Sequence, residues 1–427
     1  MDWDPKSLAS TYLNIAREYG YLGDHDKSFA CLARAEQLSP NDIYLYEDRS
    51  GVYNSQGLYE KALSDANKGV ELAPQRSWIR KRRANAFFHL NRFDEALADI
   101  AKAVELTPND ISNLTWIPPS QAAACPNESF RTGLLELADK TIELTNDSAK
   151  AYGARGWLLS AFGEEEKALA DLKSAFDRVP DTDESVRLGS SETCSTLSHL
   201  CGELAHRKEV IPYLVRMTKL QPKQPIVWYR CALAQLGSSE ADAYKATCRG
   251  MVEAFRDGDS PNPCYWTAWT CLLSPNSVED YAPLVRMAKQ AVEEDPDSEH
   301  CLKTLGGIPY RAGRADEAVQ RLTEANQLLE DPDTESQSSP AYTWYFLAMA
   351  HDKLGHETDT RKWLDKATQW TDKVLSAHED GTAPLAWNRR LTLKLLRDEA
   401  EGMIDRPRDE PKDGTETKPE ERQEAKG

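Results

Sequence analysis

Three arginines stand sixteen residues ahead of three aspartates: Arg49 before Asp65, Arg83 before Asp99 and Arg155 before Asp171. A guanidinium and a carboxylate held at one separation make a bidentate ion pair. The recurrence predicts three structural, partly buried bridges rather than loose surface contacts. A second group, Arg76, Arg80, Lys81, Arg82 and Arg83, is the most conspicuous positive cluster in an acidic chain. Trp78, Lys81, Asn85 and His89 fall there at helical spacing and therefore share one face. An aromatic surface beside Lys and Asn suits an extended peptide that carries an acidic group. Trp78, Lys81, Arg82, Asn85 and His89 are accordingly the candidate partner-binding residues, against the plainer reading of a solvated, charged helix face.

Metal and nucleophile chemistry finds less support. Cys194, His199, Cys201 and His206 could be imagined around an ion, with seven residues between the cysteines and seven between the histidines. Seven residues of helix span about 10 Å, too far for two ligands of one tetrahedral ion. Cys201 and Cys271 read instead as small buried core residues. His351 and His356 lack a third ligand. There is no phosphate-cradling Gly-x4-Gly-Lys-Ser/Thr loop, no Gly-x-Gly-x-x-Gly, no His-Glu-x-x-His, no Gly-x-Ser-x-Gly, and no Asp-Phe-Gly or His-Arg-Asp. The sequence therefore points to binding without catalysis, metal or cofactor.

Lys and Arg total 52 against 70 Asp and Glu in 427 residues, a net charge of −18 that opposes broad binding to nucleic acid or anionic membrane. A 40% hydrophobic content suffices for packed cores, and no apolar run is long enough to span a bilayer. The N-terminus has no basic region followed by an apolar one. Nine cysteines without a Cys-x-x-Cys pair fit a reduced, cytoplasmic setting.

The elements that must position the candidate residues follow from a repeat. Pro40, Pro74 and Pro108 recur every 34 residues, each closing a helix–turn–helix pattern. Tyr46, Ser50 and Tyr53 share a face of the first helix in one unit; Gly57 falls in the turn, and Ala62, Ala66 and Gly69 form the small face of the second. The next unit supplies Ala84, Phe87, Ala96, Ile100, Ala103 and Pro108. A later one supplies Tyr152, Gly156, Leu159, Ala168, Leu172, Ala175 and Pro180. In these residues the chain resembles the tetratricopeptide repeat family. The resemblance implies an all-α, right-handed superhelical solenoid of antiparallel helix pairs. Its first helices would line a concave groove for partner proteins, adding Tyr44, Glu47, Asn54 and Arg17 to the candidate site.

On this template three regular repeats fill 1–108, a divergent proline-containing repeat or joint 109–146, three further repeats 147–258 and three divergent ones 259–384. An amphipathic helix at 385–404 is expected to cap the array, because an end repeat must hide its apolar face. A tail at 405–427, with six basic, eight acidic and one apolar residue, is expected to be disordered. The run Trp116-Ile117-Pro118-Pro119, with Pro126, breaks a first helix. It reads as a joint between helical stacks, although Trp116 or Cys125 could carry a site there.

From about 225 to 404 the chain is also similar to tetratricopeptide arrays fused to kinase or β-propeller domains in bacterial signalling proteins, through Trp269–Pro275, Leu305-Gly306-Gly307, Tyr310–Arg314 and Phe346–His351. Pro309 departs from that pattern. The resemblance implies an alternative role as accessory or regulatory subunit of a signalling enzyme such as a protein kinase. Co-chaperones of the tetratricopeptide fold grip chaperone C-terminal tails with Lys, Asn, Asn, Lys and Arg. Leu13, Arg17, Asp48, Trp78 and Arg82 hold those places here. Only Arg82 fits, and Asp48 would repel a carboxylate, so chaperone tails are not the expected partner.

Overall fold

A computed structural model of the chain describes residues 4–179, 204–256, 261–329, 339–383 and 385–404. Pro180, Cys194, His199, Cys201 and the 405–427 tail lie outside the described residues. Contacts divide the chain into two compact units, 1–254 and 255–427.

The first unit is a stack of antiparallel helix pairs. Helices α1 (Pro5–Tyr21) and α2 (His25–Leu38) form the first pair, α3 (Ile43–Ser55) and α4 (Tyr59–Leu72) the second, and α5 (Ser77–His89) and α6 (Phe93–Leu106) the third. Asp4, Asp24 and Asp42 accept the backbone N–H groups that open α1, α2 and α3. The turn inside each pair needs one residue at positive φ. Gly23, Gly57 and Gly163 supply it without a Cβ penalty, and Asn91 takes the same place in the third pair at φ 59°.

The regular pattern then breaks. Where the next first helix should stand there is a 3-10 turn, Ile111–Asn113, and a short helix α7 (Pro119–Ala124). Pro118 and Pro119 cannot donate to a continuing ladder, and Pro119 instead opens α7. Helix α8 (Glu128–Leu144) resumes the stack, followed by α9 (Ala149–Ala161) with α10 (Glu165–Asp177), then α11 (Leu204–Leu220), and α12 (Pro225–Gly237) with α13 (Ala241–Phe255).

Small residues set the spacing of the pairs. Ala62, Ala66, Ala96, Ala103, Ala168 and Ala175 are fully buried. At Gly69 a Cβ would fall 2.7 Å from Ile79 Cγ1, so α4 and α5 approach too closely for any side chain there.

The second unit repeats the arrangement with α14 (Pro261–Leu272) and α15 (Ala282–Glu294), α16 (Glu299–Arg311) and α17 (Ala315–Leu329), and α18 (Pro340–Lys353) and α19 (Glu357–Glu379). Helix α16 continues through Pro309 to Arg311. The last helix, α20 (Trp387–Ile404), packs on α18 with Leu393, Leu396 and Ala400 buried. Its Glu399 is gripped by the buried Arg311 of α16. Lys303 is buried between Trp269 (4.8 Å) and Tyr342 (5.3 Å), with Glu299 at 3.6 Å. Among the described residues no helix is long and apolar enough to cross a membrane.

Replacing Ala96 or Ala168 with Leu should overpack one hairpin and lower stability by about 1–3 kcal/mol in chemical denaturation. An unchanged midpoint would show that these alanines do not mark the tight face.

Candidate functional site

Each repeating arginine ties three helices together. Arg49 of α3 donates Nε and Nη2 to Asp65 of α4 at 2.8 and 3.0 Å, and Nη1 to Glu36 of α2 at 2.8 Å. Arg83 of α5 holds Asp99 of α6 at 2.6 and 2.7 Å and reaches back to Asn67 of α4 at 3.1 Å. Arg155 of α9 holds Asp171 of α10 at 2.8 and 2.6 Å and reaches Asp139 of α8 at 2.6 Å. The three aspartates are buried.

Arg80 occupies the place of an aromatic and keeps its bond. It donates to the carbonyl of Pro74 (3.0 Å), as Tyr46 does to Pro40 (2.8 Å), and adds a contact to Asp99 at 3.2 Å. Arg80 and Arg83 are thereby engaged in the frame, which fixes the rotation of α5 and aims its opposite face outward.

That face carries the candidate residues. Trp78, Lys81, Arg82, Asn85 and His89 all line one open cavity of about 530 Å³, together with Glu47 and Asn54 of α3 and Trp116, Pro118 and Gln121 of the broken repeat. Trp78 is half-buried and stacks on Tyr44 at 5.9 Å, with Arg76 beside both rings. His89 stacks on Tyr59 at 4.3 Å, and burial lowers its pKa. Lys81 is held by Asp110 (3.2 Å) and Ser112. The Arg82 guanidinium lies over Gly51, where a Cβ would come within 3.3 Å of Cζ.

A smaller cavity shares Glu47, Gly51, Ser55 and Arg82 with the first and extends to Arg17 and Asp48, so the groove runs across α1, α3 and α5. Arg17 Nε meets both oxygens of Asp48 at 2.9 and 3.0 Å. Of the places compared with a chaperone-tail clamp, Leu13 is buried core and Arg17 is neutralised by Asp48. Glu47 stands beside that pair. Burial pushes its carboxyl up to about 7, Asp48 pushes the same way, and Arg82, Arg17 and Arg76 oppose.

The sequence left Gln121 unremarked, and nothing in its local pattern singles it out; only the chain path after Pro119 brings it to the cavity. Elsewhere, buried thiols are poor nucleophiles: desolvation pushes Cys231 up to about 12. His351 and His356 meet through their Nδ1 atoms at 3.1 Å, and no group of three metal-ligating side chains forms among the described residues.

Two outcomes test this geometry. Asp99→Ala removes the buried carboxylate shared by the half-buried Arg80 and Arg83, leaves them only the Pro74 carbonyl and Asn67, and should cost about 3 kcal/mol in denaturant melts. Glu47 ionises near pH 7 in the folded chain and near 4.5 when unfolded, so it destabilises increasingly as the pH rises from 4.5 to 7 and fully above that. Glu47→Gln should therefore stabilise at pH 8 by about 1–2 kcal/mol, after discounting for its exposed side, and have no effect near pH 4.

The tetratricopeptide repeat family matches residues 9–42 and 82–110, which fall on α1–α2 and on α5–α6. No curated protein sequence matches the chain. Solved structures similar to it include the MamA protein, with 18% identity over 40% of this chain and 91% of that one at a TM-score of 0.30. They also include pilF of Pseudomonas aeruginosa (12% identity, 56% and 98% covered, TM-score 0.34) and yeast Tom70 (15%, 92% and 96%, TM-score 0.25). The family match shows tetratricopeptide repeats at those residues, and the antiparallel helix pairs stacked around them in the first unit form a helical solenoid of repeats.

Proposed function

We propose that the chain is a non-catalytic protein-interaction scaffold. Its groove across the first helices of repeats 1–3 holds an extended partner segment against Trp78, Lys81, Arg82, Asn85 and His89. The observation that carries this reading is that these five residues, all from α5, face one open cavity, while Arg80 and Arg83 of the same helix are engaged in the frame behind it. The tetratricopeptide match supports it, since arrays of such repeats generally serve to bind other proteins. Net charge supports a protein partner over a nucleic acid. The carboxylates Asp48 and Glu47 at the centre of the groove argue against a chaperone tail. Nine cysteines without a Cys-x-x-Cys pair support a reduced, cytoplasmic setting.

The test is quantitative affinity capture from lysate of the source cells, comparing the natural chain with a Trp78→Ala, Arg82→Glu double variant of matched melting temperature. Loss of a stoichiometric partner from the variant alone is the expected result. Equal recovery with both would remove the site from this groove.

A further inference from the structure

Helix α20 does not take the place of the next first helix in the stack. Elsewhere in the second unit a first helix rests mainly on the second helix before it, α16 on α15 and α18 on α17. Helix α20 reverses this: it lies mainly on α18, touches α19 less, and reaches back to α16. Arg311 of α16 donates Nη2 to Glu399 at 2.7 Å, and Tyr310 donates its hydroxyl to Met403 Sδ at 3.2 Å. Toward its other end, Tyr342 of α18 donates to the Arg389 carbonyl at 3.4 Å.

The helix face so covered corresponds to the groove of the first unit. Asn91, Gly313 and Gly355, the positive-φ residues of three hairpin turns, give the register. Trp78 and Tyr342 stand thirteen residues before their turn, Lys81 and Lys303 ten, Arg82 and Phe346 nine, and His89 and Arg311 two. In the first unit these positions line an open cavity. In the second the same positions hold buried side chains: Lys303 lies between Trp269 and Tyr342, and Arg311 lies over Tyr310 at 5.4 Å and Phe346 at 5.5 Å. Aromatic rings and arginine are what protein interfaces are anchored on.

Helix α20 fills this face incompletely. Thr392 is buried on it, and its hydroxyl has no hydrogen-bond partner. A Cβ on Gly402 would meet no atom within 4 Å. Gly402 and Met403 border an open cavity of about 430 Å³ whose other wall includes Tyr310 and Arg311.

We propose that this face is a second partner site, occupied here by the chain's own α20, and that its partner is an amphipathic helix that displaces α20. The resident helix gives the chemistry of its competitor. Apolar residues stand at the places of Leu393, Leu396 and Ala400, a glutamate at that of Glu399, and a bulky apolar side chain at that of Gly402, where it fills the cavity. Arg311 becomes accessible as α20 leaves, and the incoming carboxylate replaces Glu399, so the guanidinium is not left buried and alone. Occupancy by α20 lowers the apparent affinity of any competitor by the fraction of time the face is free. The site is independent of the groove on α5.

The probe is a fluorescent, amidated peptide of residues 385–404 carrying Gly402→Leu. It is titrated against the full chain and against a full-chain Leu396→Asp variant, which loosens α20 and leaves the residues of α16 and α18 unaltered. The variant should bind the peptide about tenfold more tightly than the natural chain. Glu399→Gln in the peptide should weaken binding about tenfold. The Gly402→Leu peptide should bind about three- to tenfold more tightly than a Gly402→Ala peptide, a comparison that cancels the cost of glycine in a helix. On the natural chain, saturating peptide should speed hydrogen exchange of the α20 amides while α16 and α18 stay protected. If Leu396→Asp strips protection from α16 and α18 as well, full-chain Glu399→Gln takes its place; it removes one ion pair and no packing, and should bind about tenfold more tightly than the natural chain. Equal binding by the natural and loosened chains, or binding that leaves α20 exchange unchanged, overturns the displacement. No binding to either loosened chain at millimolar concentration overturns the site. Trp78→Ala should bind this peptide like the natural chain; a loss there would place the peptide in the first groove and overturn the second site.

Discussion

A guanidinium that reaches two helices at once fixes how one hairpin stacks on the next. Arg49, Arg83 and Arg155 each close a bidentate bridge within their own pair and extend a third N–H to the preceding one. Hydrophobic contact alone would allow a hairpin to rotate against its neighbour, because apolar packing has no direction. A planar fork with fixed donor angles does have one. The same two positions meet in α12 and α13 as Cys231 and Thr247, whose Sγ and Oγ1 lie 4.0 Å apart. The hairpin geometry thus brings the positions together whatever occupies them, and the arginines convert that proximity into a directional lock.

The lock has an electrostatic consequence for the groove. With Arg80 and Arg83 turned inward to Asp99, α5 presents only part of its positive charge to solvent, so the basic cluster is two populations on opposite faces of one helix. Across the groove, Asp48 and Glu47 answer Arg17 and Arg82, and burial raises both carboxyls above their ordinary range. The surface is therefore nearly balanced in charge, with its carboxylates largely out of water and Arg82 exposed beside them.

Much of this was legible in the chain itself. The 34-residue spacing of Pro40, Pro74 and Pro108 dictates the helix pairs, since proline ends a helix and the alanines before it require close approach. The sixteen-residue separation of Arg and Asp is readable because it equals the distance across one hairpin. Trp78, Lys81, Asn85 and His89 are readable as a face because a helix repeats every 3.6 residues. What periodicity could not convey lies where periodicity stops. Around Pro118 the chain follows no repeat, so the return of Trp116 and Gln121 to the α5 face depends on a 3-10 turn and a short helix that no periodic spacing announces. The inward turn of Arg80 was equally hidden: its bond to the Pro74 carbonyl mimics a phenol with a guanidinium, a substitution of function across unlike side chains.

The arginine locks are unevenly distributed along the first unit. They join repeats 1, 2 and 3, and the broken repeat to the one after it. Between α6 and α8 the polar tie is instead the exposed pair Lys140–Glu105. In a linear array, where each member feels only its neighbours, cooperativity is a product of interface strengths, and the weakest interface is where an unfolding boundary comes to rest. At the broken repeat the tie is apolar instead: Phe93 and Trp116 pack with Phe88 and Phe130 in one cluster that runs on to Trp157 and Leu158. The segment is spliced into its neighbours by a shared core, so a disturbance on one side of it would pass to the other rather than stop there.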